Sequence, residues 1–438
     1  MISRLLKISF CFLAACSSLV LADTEVPALR LANTLSSTQA GSADLPAVPV
    51  TTRTLPAAGH DQLIENPRVP SIDTNVATTD LWSRIRMGFG IQDLSNANVE
   101  RHLNTFRKHP TAVSNTLERG RKYLFHIVTE LEKRGLPTEL ALLPLVESAY
   151  NPQAVSSAKA AGLWQFIPST GKDFRLQQNW WVDERRDVLA STEAALTYLN
   201  AVYELHGDWH LALASYNWGE NAVMRAVNSN RNAGKPTDFN SLRMPAETSQ
   251  YVPKLQAIKM VIANPEHYGI KLPDIPNEPY FVTIERTQGM DLALAAKLAE
   301  MPLNDFLALN PAYNRPIIPG NHDADLLLPV AHAERFQANL AAHGGPLLSW
   351  KTYSLPRSER VEQVAQRLRM SPDALRKANG LPPKARLASG YTLLVPHATD
   401  VTAPIEASNA STARRQPTRA LNKATSRVSP KPAKPRRG

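Results

Sequence analysis

Between residues 81 and 262 the apolar positions recur every three or four residues, stretch after stretch, and this spacing constrains the fold more than any other feature. Leu81-Trp82 with Ile85 and Met87 begins the series, and Val99, Leu103 and Phe106 continue it. Tyr123-Leu124, Ile127-Val128 and Leu131 follow, then Ala195-Leu196, Leu199 and Val202-Tyr203, then Trp209, Ala212-Leu213 and Tyr216. A period near 3.6 residues places each set on one face of a helix, so a packed helical domain is predicted. Gly135 after Lys133-Arg134 predicts a helix end, and Pro137-Thr138-Glu139 opens the next helix, which ends in Glu147. Gly207 divides a later helical pair. Tyr251 to Ile262 reads as another buried helix, and the connector Leu272-Pro273-Asp274-Ile275-Pro276 closes the domain near residue 270.

At 438 residues the chain exceeds what a single core organises, which implies two to four domains. Its 34 prolines against 19 glycines predict stiff, extended connectors, so that the domains hang as beads on strings. Residues 23–78 mix Pro, Ala, Thr, Ser and Asp without a period and are expected to form a disordered tether ahead of a domain over residues 79–270. At the other end, Arg414, Arg415, Arg419, Lys423, Arg427, Lys431, Lys434, Arg436 and Arg437 supply nine of the formal +10 charges. Residues 397–438 are therefore expected to be a disordered basic tail, and the folded part is near neutral. An anionic wall polymer or lipid headgroup is a better partner for that tail than nucleic acid, and a purely solubilising tail remains the alternative.

Arg4 and Lys7 precede an apolar stretch through Phe12, and Leu13-Ala14-Ala15-Cys16 then resembles a bacterial lipobox. Residues 1–22 are expected to be an export signal. Cys16 would become a lipidated N-terminus at the periplasmic face of the outer membrane; cleavage after Ala22 instead would release a soluble periplasmic protein. Cys11 is the other cysteine and lies within the same signal, which excludes an intrachain disulfide and thiolate metal chemistry in the mature chain. No segment reaches the ~20 apolar residues of a spanning helix.

Sliding the chain on itself by 69 residues exposes a weak repeat. Met301 falls on Met370, Phe306 on Leu375 and Asn310 on Asn379, and the copies close on Leu326-Leu327-Leu328-Pro329 and Leu393-Leu394-Val395-Pro396. Each copy, 280–330 and 350–396, predicts a small strand–helix–helix–strand module.

Glu147 follows the apolar run Leu140 to Val146. Burial disfavours a charged carboxylate, so a Glu in such company is expected to titrate high and to serve as a general acid, although a Glu closing a helix, taken alone, is usually solvated. Three further segments give it context: Gly162-Leu163-Trp164-Gln165, Ala214-Ser215-Tyr216-Asn217 and Glu247-Thr248-x-x-Tyr251. With Glu147-Ser148-Ala149-Tyr150-Asn151-Pro152 they resemble, in order and spacing, the lytic murein transglycosylase domain, which is lysozyme-like. The second repeat resembles a LysM module through Tyr353-x-Leu355, Val361-x-x-Val364-Ala365, Leu375-x-x-x-Asn379-Gly380-Leu381 and Gly390-Tyr391, with Arg357-Ser358-Glu359 where most members carry Gly-Asp-Thr. The resemblance implies a multidomain chain: a mainly α lysozyme-like catalytic domain followed by small βααβ LysM-type modules, the first degenerate.

It also implies a substrate and a mechanism. Peptidoglycan glycan strands would be cleaved between N-acetylmuramic acid and N-acetylglucosamine, with Glu147 acting first as acid and then as base. The muramic 6-hydroxyl would attack in place of water and leave a 1,6-anhydro end. Carried over by position, Ser156, Gln165, Tyr216, Asn217, Glu247 and Tyr251 are expected to bind substrate. Two keep structural alternatives: Gln165 holding the Glu147 loop and Glu247 as a helix N-terminal charge. Trp164 is expected to pack under the acid. Trp180, Trp181 and Trp218 are either sugar platforms or core residues. Asp173, Asp183, Glu184 and Asp187, set among Lys172, Arg175, Arg185 and Arg186, read as a solvated loop or salt-bridged flap. His206 and His210 lack the glutamate of a zinc motif and are taken as a surface pair, so no metal or cofactor is expected. A hydrolytic muramidase on the same scaffold and a non-catalytic wall-binding scaffold are the rival readings.

Overall fold

The computed structural model describes residues 80–285, 288–320 and 325–397. The expected signal with Cys16, the tether over 23–78 and nearly all of the basic tail lie outside those residues. Ten helices build the first part: α1 (Leu81–Met87), α2 (Ala97–Lys108), α3 (Pro110–Gly120), α4 (Leu124–Lys133), α5 (Leu143–Ser148), α6 (Pro168–Asp173), α7 (Val188–His206), α8 (Trp209–Trp218), α9 (Glu220–Asn232) and α10 (Ala246–Ala263). The predicted apolar faces meet in one core that includes Leu81, Leu103, Ile127, Leu131, Leu196, Leu199 and Leu213. Asp80, Asn96, Asp187 and Asp208 cap α1, α2, α7 and α8 with side-chain oxygens on free backbone amides. Helix α10 runs unbroken through Pro253. Proline cannot donate to the Ser249 carbonyl one turn back, and Asn98 Nδ2 of α2 donates there instead, at 3.0 Å.

The sequence reading needs correction at two boundaries here. A single helix was expected from Pro137 to Glu147, whereas a 3₁₀ turn over Thr138–Leu142 leads into the separate short α5. Pro144 has no N–H to extend the first piece and suits the first turn of the second. The core also does not close near residue 270: Ile275 is buried in it, Leu81 N donates to the Ile275 carbonyl and Trp82 Nε1 to that of Pro273. The proline-rich connector is strapped along α1.

Two modules of one design follow. The first contains β1 (Phe281–Ile284), β2 (Met290–Asp291), α11 (Leu292–Leu298), α12 (Leu303–Leu309), β3 (Ile317–Ile318) and β4 (Leu326–Pro329), with β1 antiparallel to β4 and β2 to β3. Helix α13 (Val330–Ala342) then contributes Ala333 and Phe336 to the same core, so the module does not end at residue 330. The second module repeats the plan with β5 (Trp350–Ser354), β6 (Glu359–Arg360), α14 (Val361–Arg367), α15 (Pro372–Asn379), β7 (Arg386–Leu387) and β8 (Thr392–Pro396).

The first module is not a bead on a string. Leu309 and Leu327 bury themselves in the helical domain's core. Tyr123 donates its hydroxyl to the Ala308 carbonyl at 2.8 Å, Asp183 N donates to Ala312 O, and Asn314 N to Trp181 O. Arg186, half-buried, donates to Ala312 O and Asn314 Oδ1. Apolar burial with satisfied polar groups around it is what a fixed interface requires.

Candidate active site

Glu147 is the penultimate residue of α5, and the chain turns sharply after it. Ala149 and Tyr150 both take left-handed backbone conformations, with φ of 52° and 55°, an arrangement that costs on the order of 1 kcal/mol per residue and needs support from its surroundings. That support is visible. Tyr150 is buried and donates to Ala141 O at 2.8 Å, Arg119 of α3 donates to Ala149 O, and Ser148 Oγ lies 3.0 Å from the carbonyls of both Pro144 and Leu163. Ser148 thus ties the helix end to the loop carrying Gly162-Leu163-Trp164-Gln165. At Gly162, φ is 87° and a Cβ would stand 1.9 Å from the Arg185 carbonyl, so only glycine lets the loop pass the flap.

The Glu147 side chain is half-buried, with protein packed around its carboxyl. Tyr251 of α10 donates its hydroxyl to Glu147 Oε1 at 2.5 Å. Burial pushes the carboxyl from its ordinary 4.5 up to about 7; the Tyr251 hydrogen bond and the Lys254 ammonium pull it down, and Glu247 pushes it up. Tyr216 of α8 comes alongside, with its hydroxyl on the Trp164 carbonyl at 3.0 Å. Burial and then the Glu147 carboxyl raise both phenols well above their usual range, so they act as neutral donors.

The other expected residues take varied places. Ser156 closes the turn at the head of the same loop, its Oγ accepting from Ala160 N at 3.0 Å. Gln165 adopts a left-handed φ of 51° and gives its amide N–H to Gly162 O at 2.8 Å, so its donor holds the loop. Asn217 Oδ1 accepts from Thr248 Oγ1 at 2.8 Å, joining the end of α8 to the start of α10. Glu247 is exposed in the first turn of α10. Trp164 is wholly buried and donates to Thr192 Oγ1. Trp180 and Trp181 are half-buried on the flap and meet edge to face, and the Arg315 guanidinium of the first module lies 4.4 Å above the Trp180 ring centre. Trp218 packs against the core.

Asp183 is chelated by Arg185, Asp187 caps α7, and Glu184 accepts from Gln177 N. The histidine pair is not a surface feature: His210 is buried against the Gln92 carbonyl, and His206 pairs with Ser215 Oγ. Position 208 between them is the α8 cap, so the helical spacing that suggested a pair belongs to two different helices. Lys254 was missed altogether, although its spacing from Glu247 and Tyr251 marks one helical face.

Comparison with known proteins bears on this geometry. The Transglycosylase SLT domain family matches residues 126–239, a span holding Glu147, Gln165 and Tyr216 but stopping short of Tyr251. The family of the LysM-like domain of lytic transglycosylase MltD matches residues 280–345, the first module together with α13. Membrane-bound lytic murein transglycosylase D of Escherichia coli (strain K12) is 32% identical over 331 residues, covering 72% of each chain. This chain belongs to the lytic murein transglycosylase D family. As a member it is a peptidoglycan-cleaving lytic transglycosylase. A protein named for tributyltin chloride resistance from Alteromonas sp. (strain M-1) is 41% identical over 163 residues, 37% of this chain and 76% of its own. Membrane-bound lytic murein transglycosylase C of Glaesserella parasuis is 29% identical over 145 residues, 30% and 40% of the two chains. The LysM-like match falls on the copy whose sequence departs further from a LysM pattern, which fits a family-specific version of the module.

Proposed function

We propose that Glu147 carries the transglycosylase reaction as the single acid and base. What supports this is one half-buried carboxyl, pushed by burial up to about 7 and held by the Tyr251 hydroxyl. In the protonated form it would give its proton to the 4-oxygen of the departing N-acetylglucosamine as the bond from the muramic C1 breaks. The carboxylate left behind would then take the proton of the muramic 6-hydroxyl as that oxygen bonds to C1. The proton returns to Glu147, no water is consumed, and the product ends in a 1,6-anhydro ring. Tyr251 can hold the same oxygen in both states.

Glycosidases that use water need a second carboxylate facing the sugar. A hydrolytic side reaction would have to use Glu247, which is exposed in the first turn of α10. Mass spectrometry of digested sacculi separates the two: anhydro ends are expected, and reducing ends without them favour hydrolysis. Glu147→Gln is expected to lower turnover by about 10²–10⁴ or more, because the amide keeps its shape but carries no transferable proton. A well-folded variant with near wild-type release would mean that the acid is another residue.

The same substitution predicts a stability effect. The carboxyl binds its proton more tightly when folded, so its contribution to stability is intact below about pH 4.5 and is lost as pH rises towards 7. The melting temperature of Glu147→Gln should therefore gain on wild type across that window; a gap that stays constant refutes the burial. Wall binding by residues 350–396 and anchoring through Cys16 complete the reading. The relatives' names describe membrane-bound proteins, and no described helix is long and apolar enough to cross a membrane. Cys16→Ser should release the protein from the membrane fraction; unchanged fractionation would refute a lipid anchor.

A further inference from the structure

Glu247, Tyr251 and Lys254 occupy positions i, i+4 and i+7 of α10, the spacing that lines one face of a helix. That face meets the end of α5. Tyr251 holds Glu147 directly, and Lys254 Nζ reaches the Val146 carbonyl, the peptide just before Glu147, at 3.4 Å. Glu247 stands one turn before Tyr251, in the exposed first turn of the helix. A carboxylate, a phenol and an ammonium are thus presented in sequence to one catalytic carboxyl.

We propose that Glu247 and Lys254 are positioning residues of opposite sign, which bracket Tyr251 and hold Glu147 ready both to give a proton and to take one back. The inference rests on the reading of Glu147 as acid and base. One group with both tasks faces opposing demands: a stronger hold on the proton weakens it as an acid, and a weaker hold weakens it as a base. The negative charge of Glu247 favours the protonated form that starts the reaction. The positive charge of Lys254 favours the carboxylate that remains after the first transfer. Glu247 is exposed and Lys254 half-buried, so water screens both and neither overwhelms the other.

Tyr216 from α8 and Tyr251 are neutral phenols. Arg119 from α3 faces the Ala149 carbonyl, two residues beyond Glu147. His102 from α2 adjoins Lys254; burial first, and then that ammonium, disfavours its charged form. Among the described residues, Lys254 and Glu247 are the full charges that act on the Glu147 carboxyl.

The test uses the full-length protein and sacculi at subsaturating concentration, with the initial rate of anhydro-muropeptide release measured across the neutral pH range. The rate of wild type should fall on the alkaline side as Glu147 loses its proton. Lys254→Met should move that limb up by roughly 0.5–1 pH unit, and Glu247→Gln should move it down by a similar amount, below the ~1–3 units of a desolvated contact pair. Lys254→Arg keeps the charge and should keep the wild-type limb. The double variant should return towards wild type. Limb position is independent of the fraction of protein folded, so a partly unfolded variant does not imitate the result. Limbs that stay put, or that move in the same direction for both single variants, overturn the proposal. If Glu147→Gln remains active, the acid assignment itself fails; if it is inactive while both limbs stay put, only the bracketing role does.

Discussion

Asn310 and Asn379 perform one task in two copies of the same fold. Each is buried at the end of a helix, donates from Nδ2 to the carbonyl four residues back and to a strand carbonyl, and accepts the strand N–H on Oδ1. The strand partner is Leu327 in one copy and Leu394 in the other. Outside that shared lock the copies diverge. The first presents Leu309, Ala312 and Asn314 to the catalytic domain and joins its core, whereas the aligned positions of the second are Ala378, Leu381 and Pro383. Each module also has a core of its own, with Met290, Phe306 and Phe336 in the first and Val361, Val364, Leu375 and Leu393 in the second. Arg315 of the first module lies against its Gly380. A fold is thus conserved by its internal hydrogen bonds, while its outer face decides whether it becomes part of the enzyme body or stays a separate module.

The strongest way to break this comparison is to remove each lock. Asn379→Ala leaves the buried Leu394 amide and carbonyl without their partner, a loss on the order of 2–4 kcal/mol, and a module of this size has little core to absorb it. Calorimetry should show the second module melting earlier and the catalytic transition unmoved. Asn310→Ala costs a similar amount, but here the catalytic transition itself should fall, because Leu309 and Leu327 lie in that core. A catalytic transition indifferent to Asn310→Ala would mean that the docked module is energetically independent.

A smaller test sharpens the docking alone. Tyr123→Phe removes the hydroxyl on the Ala308 carbonyl and should cost about 1 kcal/mol. Hydrogen exchange should quicken at the Asp183 and Asn314 amides, which bridge the flap and the first module, and not at Leu394. Equal quickening at all three would show that the second module shares the interface. The smallest effect is expected at the solvent-accessible pair of half-buried Lys122 and exposed Asp305, 3.0 Å apart. Lys122→Ala should cost under about 0.5 kcal/mol, and less in high salt; a larger loss would make the docking electrostatic rather than apolar.

The catalytic domain was legible in the sequence to a different degree from its docking. Helical period located the packed helices because burial of a face requires it, and the four ordered segments brought Glu147 and Tyr216 to notice. The hydrogen bond between Tyr251 and Glu147 spans 104 residues, and no local pattern announces it. Beads on strings was a reasonable expectation from proline content, but it failed because proline stiffens a connector without preventing it from packing, as Ile275 does. His206 and His210 looked like neighbours on one helix until the Gly207 break assigned them to two.

What the sequence by itself determined is whatever depends on near neighbours along the chain: helix faces, the helix break at Gly207, the repeated module with its paired asparagines, and an acid set after an apolar run. What only the tertiary structure decided is how much of each polar group remains free once distant segments meet. It gave the Gln165 donor to its own loop, brought Tyr251 and Lys254 against the end of α5, and buried Leu309 and Leu327 of one module in the catalytic core, which takes no described residue of the other. The physical reason is that burial and electrostatic fields are properties of packed volume, and residues far apart in the chain share that volume only after folding.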